Sequence, residues 1–555
     1  MARQEVDVCI VGAGAAGGTV ARELARAGLK VVILERGPAF DPREMRQMDE
    51  IRFGPRAGLV GNAQQPMVLR ATEASRPVRV AGQASGTGGG TIHWAAMAWR
   101  FHEDDFRLLS KYGPRPGYLL ADWPLSYADL EPWYDTAEYE IGVSGVWAPG
   151  GGNPFEAPRR RDYPLPPLAD RRIGLVFREA TRKLGYHPFP VPAAILSQPY
   201  RGRPACTYCG FCRLHACHTD AKHSTLVTFI PEALATGNCT LLTDCTVARI
   251  NTDLTGRRAT SVTYFDPAGA ERELHASLFY IAANEHENPR LLLLSASDAH
   301  PNGLGNDYGW VGKARMAHTR PRVIALYDDQ VMNAHIGPNH PFQAIDDFNA
   351  DNFDHTGLGF IRGGIIFTNV KDAGGPLSFY DTLPPGLPRW GSAYKRYLAQ
   401  YFLRYMSIDA WLEMLPHEQN SLDLDPQVRD RFGLPVARFT ITFTDNCRAL
   451  NEFAIERMKE IAAATGASSY FVLPQGPVPT AHTCGGTRMG FSPEDSVTNQ
   501  WGQLWDTPNV FLGGSTLFPT MSGFNPTLTI YALAFRTADY IRREAQAGGS
   551  LTRYL

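Results

Sequence analysis

No apolar run in this chain approaches the roughly 18 residues of a membrane-spanning helix, so no span is expected. Net charge of either sign is also scarce. Against 56 Asp and Glu stand 54 Lys and Arg, a formal balance of −2 that offers no basic field to nucleic acid or anionic lipid. Short runs such as Arg159-Arg160-Arg161 do not change this, and nucleic-acid binding is set aside. Internal repeats and low-complexity tracts are missing as well, which excludes solenoids and long disordered arms. The first strand-like run begins so near Met1 that no signal peptide is expected before it, and the chain is expected to carry no export address of its own. The nine cysteines do not read as a disulfide framework: the number is odd and the distribution uneven. Cys9, Cys239, Cys245, Cys447 and Cys484 are scattered, whereas Cys206, Cys209, Cys212 and Cys217 crowd into twelve positions. What remains is an ordinary globular composition, 555 residues with 44% hydrophobic positions, enough for two or three fused domains.

The most informative stretch is the first. Val6 to Val11 is a buried-strand run that ends at Gly12, Gly14 and Gly17, spaced G-x-G-x-x-G, and a helix-favouring segment from Ala15 to Ala27 follows at once. Gly12 permits the turn, Gly14 lets a pyrophosphate approach the backbone, and Gly17 lets helix and strand pack closely, while the helix N-terminus attracts phosphate. A second strand, Leu29 to Leu34, delivers Glu35 about 20 residues downstream, where an acid accepts hydrogen bonds from ribose hydroxyls. This is a complete dinucleotide-binding unit, and the motif alone does not separate NAD from FAD.

Further along, Gly37 to about Val80 lacks regular periodicity and reads as a long excursion over the cofactor. The glycine-rich segment Gly82 to Trp94 permits close backbone approach to something flat or charged. Ser144 to Leu168 reads as a surface crossing, followed by a helix over Arg172 to Leu184. Alternating stretches at Thr240 to Asn251, Ser261 to Phe265 and Glu271 to Ala276 read as antiparallel strands with a hairpin at Pro267-Ala268-Gly269. A buried strand, Leu278 to Ala283, and a helix, Asn288 to Ser295, return the chain to the cofactor sheet. Runs at Arg322 to Tyr327, Ser407 to Leu415 and Ala437 to Phe443 predict a second, mostly antiparallel domain, closed by a helix over Cys447 to Thr465. A strand at Asn509 to Gly514 and a helix from Pro526 to Ala545 rejoin the first domain. The expected fold class is α/β: a Rossmann-like dinucleotide domain (residues 1–319, with a cysteine-bearing insertion at about 200–225, and 480–555) and an antiparallel substrate domain (320–479).

Four places in this pattern resemble the glucose-methanol-choline (GMC) oxidoreductases: Gly12 to Glu35, Gly86 to Trp94, His482 to Gly490 (HTCGGTRMG) and Gly513 to Ala534 (GGSTLFPTMSGFNPTLTIYALA). Within that family the chain is most similar to the large subunits of bacterial sugar and sugar-acid dehydrogenases, the gluconate 2-dehydrogenase and fructose dehydrogenase group, through Gly88 to Ala96 and the cysteine cluster. The resemblance implies the GMC fold and FAD rather than NAD, with Gly88, Gly89, His93, Val247 and Gly514 beside the cofactor. It places His482 as the base that takes the hydroxyl proton, a task that suits a neutral imidazole near pH 7, and Asn525 as the donor that orients the substrate oxygen. On sequence alone Asn525 reads as a helix N-cap before Pro526. Some relatives attach the flavin covalently to a histidine in a context like that of His93; the alternative there is a histidine stacked beside the ring. His286, His318, His335 and His340 have no comparable context and read as structural.

The spacing Cys206-x2-Cys209-x2-Cys212-x4-Cys217 approaches the bacterial ferredoxin run and departs from it by one residue and by His218 in place of proline. Four thiolates also suit structural zinc. The relatives carry an iron-sulfur cluster here, and Cys209 leaves three-iron and four-iron types both open; His215, His218 and His223 read as bystanders. The resemblance therefore implies a dehydrogenase that oxidises a secondary hydroxyl of a sugar, sugar acid or polyol and passes electrons through the cluster to a cytochrome or quinone. It also implies partners, a small subunit bearing an export signal and a membrane-bound cytochrome c, and hence a periplasmic location with a cytoplasmic one as the fallback. The alternatives are a glycoside 3-dehydrogenase, a flavin alcohol oxidase, or a non-oxidising FAD protein such as a lyase or electron carrier.

Overall fold

A computed structural model of the protein describes residues 6–41, 62–71, 78–82, 85–213, 215–334, 337–338, 340, 342–369, 379, 382–473 and 482–548. The core of the first unit is a parallel sheet in which Cys239–Leu242, Val31–Leu34, Val6–Val11, Glu271–Ile281 and Val510–Leu512 lie side by side. Strands buried on both faces should be near-continuously apolar, and Val6–Val11 is, because helix Ala15–Arg26 and the C-terminal helix Thr527–Gly548 cover one face of the sheet. Two expectations change here. Thr240 to Asn251 is not one strand: Asp244 adopts φ +55 and splits it into Cys239–Leu242, parallel to Val31–Leu34, and Thr246–Thr252, antiparallel to Ala259–Phe265. Conversely, Glu271 to Ala276 and Leu278 to Ala283 are parts of one strand, Glu271–Ile281, whose first half closes the hairpin at Pro267-Ala268-Gly269 and whose second half enters the parallel sheet.

The second sheet is antiparallel, in the order Ser469–Leu473, Arg322–Leu326, Tyr405–Glu413, Gly364–Asn369, Gln343–Ile345 and Phe189–Pro190, with His318–Thr319 added beside Tyr405–Glu413. Every residue of Tyr405–Glu413 is buried, and the two-residue alternation divides them by task. Met406, Ile408, Ala410 and Leu412 pack with helix Asp445–Ala464 and helix Arg172–Lys183, whereas Trp411 joins the core shared with the first unit. Because Phe189–Pro190 and His318–Thr319 pair in this sheet, the strands cross the expected boundary at 319/320. The boundary at 479/480 and His335 lie outside the described residues.

The supposed excursion after Gly37 contains two strands, Asn62–Ala71 and Val78–Gly82, which extend Ser421–Arg429 and Pro435–Ile441 into a third sheet. Tyr127–Ile141, which the sequence pattern did not reveal as a helix, is capped by Ser126 and Asp129 and packs on Thr527–Gly548. It buries Glu131, Asp135 and Glu138 against Arg100 and Arg159. Arg159 thereby draws part of the expected surface crossing Ser144 to Leu168 into the interior, where its side chain is fully covered.

Candidate active site

Between the two larger sheets lies a cavity of about 600 Å³ lined by Gly12 to Ala16, Glu35, Gly89 to Thr91, His93, Val247, Gly514, His482 and Asn525. The N-termini of helices Ala15–Arg26 and Thr527–Gly548 both open onto it, and the first-turn N–H groups and positive dipole end of a helix suit an anionic ligand. Gly12 has φ +98, and a Cβ there would stand 2.4 Å from the Ala282 carbonyl oxygen. At Gly17 a Cβ would meet the Gly12 carbonyl oxygen at 2.0 Å, so this glycine serves helix-to-strand packing, as its spacing suggests. A Cβ at Gly14 meets nothing within 4 Å: this is the open side on which a pyrophosphate can approach. Gly88, expected at the cofactor, faces Ile92 and Leu226 instead at φ +100 and shapes the turn that brings Gly89 and Gly90 to the cavity.

Glu35 stands where the spacing puts it, and it also pins three loops. Its carboxylate accepts from the N–H groups of Ala13 (2.9 Å), Gly37 (2.8 Å) and Gly86 (3.2 Å). Burial pushes its carboxyl upward against those N–H groups and the Arg36 charge. With lone pairs to spare, a carboxylate so fixed can still accept from a ribose at the cavity wall. Shape, glycines, helix ends and acid together fit a dinucleotide.

His482 and Asn525 meet at the opposite end. The Asn525 amide is oriented by the indole of Trp99, whose Nε1–H donates to Oδ1 at 2.9 Å, so Nδ2 is the atom facing His482 Nε2 at 3.0 Å. An amide N–H only donates, so Nε2 of His482 is the unprotonated nitrogen. The other ring nitrogen lies 3.0 Å from His318 Nδ1, and His318 Nε2 lies 2.7 Å from the Ser522 carbonyl oxygen. Since a carbonyl accepts, His318 carries its proton on Nε2, offers a bare Nδ1, and receives the Nδ1–H of His482. The expectation of a merely structural His318 is thus corrected: it touches the candidate base directly. Burial, then His318, then the positive charges of Arg213 and Arg320 hold His482 well below the usual imidazole range. Burial likewise pushes His318 down to about 4. His286 is structural as expected, taking a hydrogen bond from Arg315 at 2.9 Å, and His340 contacts the Ala95 and Val191 carbonyls.

Trp411 packs edge-on to His482, ring centroids 4.6 Å apart, and Arg320 lies over its indole while donating to buried Asp409 at 2.7 Å. Arg213, Arg320, Arg322 and Trp411 all line this part of the cavity. No local motif marks them in the sequence, because three separate segments bring them together.

All nine cysteines are unpaired, in agreement with the absence of a disulfide pattern. In the Cys206 to Cys217 loop, backbone N–H groups of Tyr208 and Lys222 donate to the sulfurs of Cys206 (3.3 Å) and Cys217 (3.5 Å), and His218 Nδ1 approaches Cys209 Sγ at 3.6 Å. Burial pushes the Cys206 thiol up to about 11 and Cys212 higher still. Among the described residues no three of these sulfurs lie within 4.8 Å of one another; the group that does converge so closely is His300, Asp307 and Asp506. Buried Lys222 ties this loop to the cavity: its amine donates to the carbonyls of Ile92 (2.8 Å), Trp94 (3.1 Å), His215 (2.7 Å) and Cys212. His93, between Ile92 and Trp94, lines the cavity, and burial with the Lys222 charge pushes it down to about 4.

Comparison with known proteins agrees with this architecture. The GMC oxidoreductase family matches over residues 167–320 and 416–534, and the FAD dependent oxidoreductase family over residues 7–137. The chain is 33% identical to the gluconate 2-dehydrogenase flavoprotein of Pantoea cypripedii over 98% of its length and 94% of that protein's. It is equally identical, 33%, to the 2-methyl-1,2-propanediol dehydrogenase of Mycolicibacterium austroafricanum, covering 97% and 95%, and 30% identical to the fructose dehydrogenase large subunit of Gluconobacter japonicus, covering 98% of each. Among solved structures, pyridoxine 4-oxidase from Mesorbium loti shares the fold with TM-score 0.63 over 97% of this chain and 99% of that one, at 16% identity. A dinucleotide cavity closed by an antiparallel sheet, in a chain alike end to end to these dehydrogenases, makes this protein a member of the GMC oxidoreductase family, FAD-dependent and acting on CH–OH donors.

Proposed function

We propose that the protein is a dehydrogenase for a secondary hydroxyl of a sugar, sugar acid or polyol, with His482 as the base. The observation that carries this reading is the bare Nε2 of His482, held at the cavity wall 3.0 Å from the Asn525 amide. A substrate hydroxyl lodged between them donates to Nε2 and accepts from Nδ2–H, in place of their direct contact. Nε2 takes the hydroxyl proton while Asn525 stabilises the negative charge that grows on oxygen. The flavin of FAD, when bound, supplies the acceptor for the hydride that leaves carbon. Gly12, Gly14 and Glu35 would hold its adenosine diphosphate half, with Val247 and Gly514 beside it. Arg213, Arg320 and Arg322 line the same cavity and can donate to substrate oxygens, and the likeness to a gluconate 2-dehydrogenase flavoprotein supports a sugar acid.

Anaerobic mixing with D-gluconate, D-fructose, D-sorbitol, D-glucose and 2-methyl-1,2-propanediol tests this. Bleaching of the flavin, fastest with gluconate, is expected, and re-oxidation by ferricyanide rather than by oxygen separates a dehydrogenase from an oxidase. A flavin that no member of the panel bleaches would favour a non-oxidising protein. His93 lines the cavity and either bonds to the flavin or stacks beside it: acid precipitation leaves the yellow colour in the pellet if it is bonded and in the supernatant if it only stacks.

Cys206, Cys209, Cys212 and Cys217 would hold an iron-sulfur cluster of three-iron or four-iron type, a group that transfers electrons singly. A tetrahedral zinc with Zn–S near 2.3 Å sets its sulfurs about 3.8 Å apart. Structural zinc on the same four thiolates is the alternative. Iron and acid-labile sulfide analysis decides between them. Partners follow from the same reading: a small subunit with an export signal and a membrane-bound cytochrome c, in the periplasm. The described residues contain no helix long and apolar enough to cross a membrane, and a relative is itself named a large subunit. Co-purification from fractionated cells tests the assembly.

A further inference from the structure

We propose that His318 is a positioning residue that selects the tautomer of His482 and so makes its Nε2 the base. This inference rests on the reading of His482 above. A neutral imidazole has two tautomers, and only the one protonated on Nδ1 presents a lone pair to a substrate at Nε2. Four side chains and one carbonyl fix that choice in sequence: Trp99 Nε1–H to Asn525 Oδ1, Asn525 Nδ2–H to His482 Nε2, His482 Nδ1–H to His318 Nδ1, and His318 Nε2–H to Ser522 O. Reversing the proton on either histidine would set two donors or two acceptors face to face, at a cost of the order of 1–3 kcal/mol for an unmet buried group.

The surroundings keep His318 neutral and so able to accept. It is completely buried on strand His318–Thr319, beside Trp411 (ring centroids 6.1 Å apart) and paired in register with Glu413. Glu413 is engaged by buried Arg362, which also meets Asp105. Across the cavity wall stand Arg213 and Arg320, the latter bound to Asp409. Among the described residues the His318 ring nitrogens meet His482 and the Ser522 carbonyl rather than a carboxylate, and burial opposes its protonation. When the substrate O–H bond breaks and the proton forms a bond to His482 Nε2, the imidazolium keeps its Nδ1–H on His318, which shares the new charge without taking the proton.

Histidine ring nitrogens can be read directly. Holoenzyme labelled with 15N in the imidazoles gives long-range 1H–15N correlation patterns that distinguish the two tautomers, and the His482 pattern is identified by its loss in His482→Ala. The wild type and His318→Asn, whose carbonyl oxygen replaces the Nδ1 acceptor, are expected to show the Nδ1–H form alone, and His318→Leu, where Asn525 still favours that form but the Nδ1–H has lost its acceptor, a mixture with the Nε2–H form. Should His318→Leu fail to fold, His318→Gln, whose amide N–H reaches the Nε2 position and donates to the Ser522 carbonyl while leaving the Nδ1 position without an acceptor, carries the same expectation. Flavin reduction by D-gluconate should be at least tenfold slower in the Leu or Gln variant and within about threefold of wild type in the Asn variant. An Nε2–H pattern in the wild type, or an unchanged pattern and rate in the Leu and Gln variants, overturns the proposal. If His482→Ala is bleached at the wild-type rate, the base lies elsewhere even where the tautomer result holds; if it is inactive while His318→Leu is unimpaired, the role of His318 alone is refuted.

Discussion

Replacing Asn525 with Asp changes one heavy atom and should make the site's rate depend on pH. In the wild type Trp99 fixes the amide, so an N–H faces Nε2 of His482 across 3.0 Å. In Asn525→Asp one carboxylate oxygen still accepts from Trp99, and the other takes the place of the donor. A negative charge then faces a lone pair, an arrangement relieved when Nε2 gains a proton. An opposite charge within about 4–6 Å raises an imidazole pKa by roughly one to three units, or about 1.4–4 kcal/mol in favour of the imidazolium. The sign for activity follows, because only neutral His482 can accept the hydroxyl proton. Wild-type His482 is held well below the usual range, so flavin reduction should already be flat with pH at 6. The Asp variant, its pKa raised from that low starting point, should lose rate as the pH falls through 6 toward 5, where the wild type does not. Asn525→Ala carries no charge: its profile should stay flat while its rate falls by about 10²–10³, the loss typical of one oxyanion donor. Anaerobic stopped-flow at several pH values reads all three. An Asp variant with the flat wild-type profile, or an Ala variant at wild-type rate, would show that Asn525 does not face the reacting oxygen.

Gly17→Ala puts a methyl 2.0 Å from the Gly12 carbonyl oxygen, an overpacking worth about 1–3 kcal/mol, and should lower both flavin content and melting temperature. Cys212→Ser should lose iron while retaining flavin, which metal analysis beside the visible spectrum will show; unchanged iron would remove Cys212 from the ligand set. His286 and His318 are held near 4 when folded and titrate near 6.5 when unfolded. Their pKa is depressed, so the unfolded chain binds the extra protons: stability is full above pH 6.5 and declines below it by about 1.4 kcal/mol per unit for each, about 3 kcal/mol for the pair at pH 5.5. Chemical denaturation of the wild type and His286→Asn at pH 7.5 and 5.5 should show the loss shrink in the variant.

The parts legible in the sequence are those in which one short segment carries the whole signal. Val6 to Glu35 is such a segment: strand, glycine turn, helix and acid follow one another within it, and the structure has the strand, the Gly12 turn, the Gly17 packing and the helix where the sequence puts them. Helix Tyr127–Ile141 was hidden because its inward face bears Glu131, Asp135 and Glu138, paired to Arg100 and Arg159 far away in the chain, so no apolar stripe marks it. Thr240 to Asn251 alternates like one strand because alternation does not register the left-handed residue Asp244. At the site, His482 and Asn525 were reachable only through family resemblance. His318 was not reachable at all, since its partner is 164 residues away and the pairing arises where two sheets meet. Arg213, Arg320 and Trp411 were hidden for the same reason.

The most direct test of the account is the rate of anaerobic flavin reduction in His482→Ala with the substrate panel. Loss of a general base should slow that step by about 10²–10⁴ while the flavin spectrum and content stay those of the wild type. Reduction at the wild-type rate, with flavin fully bound, would contradict it.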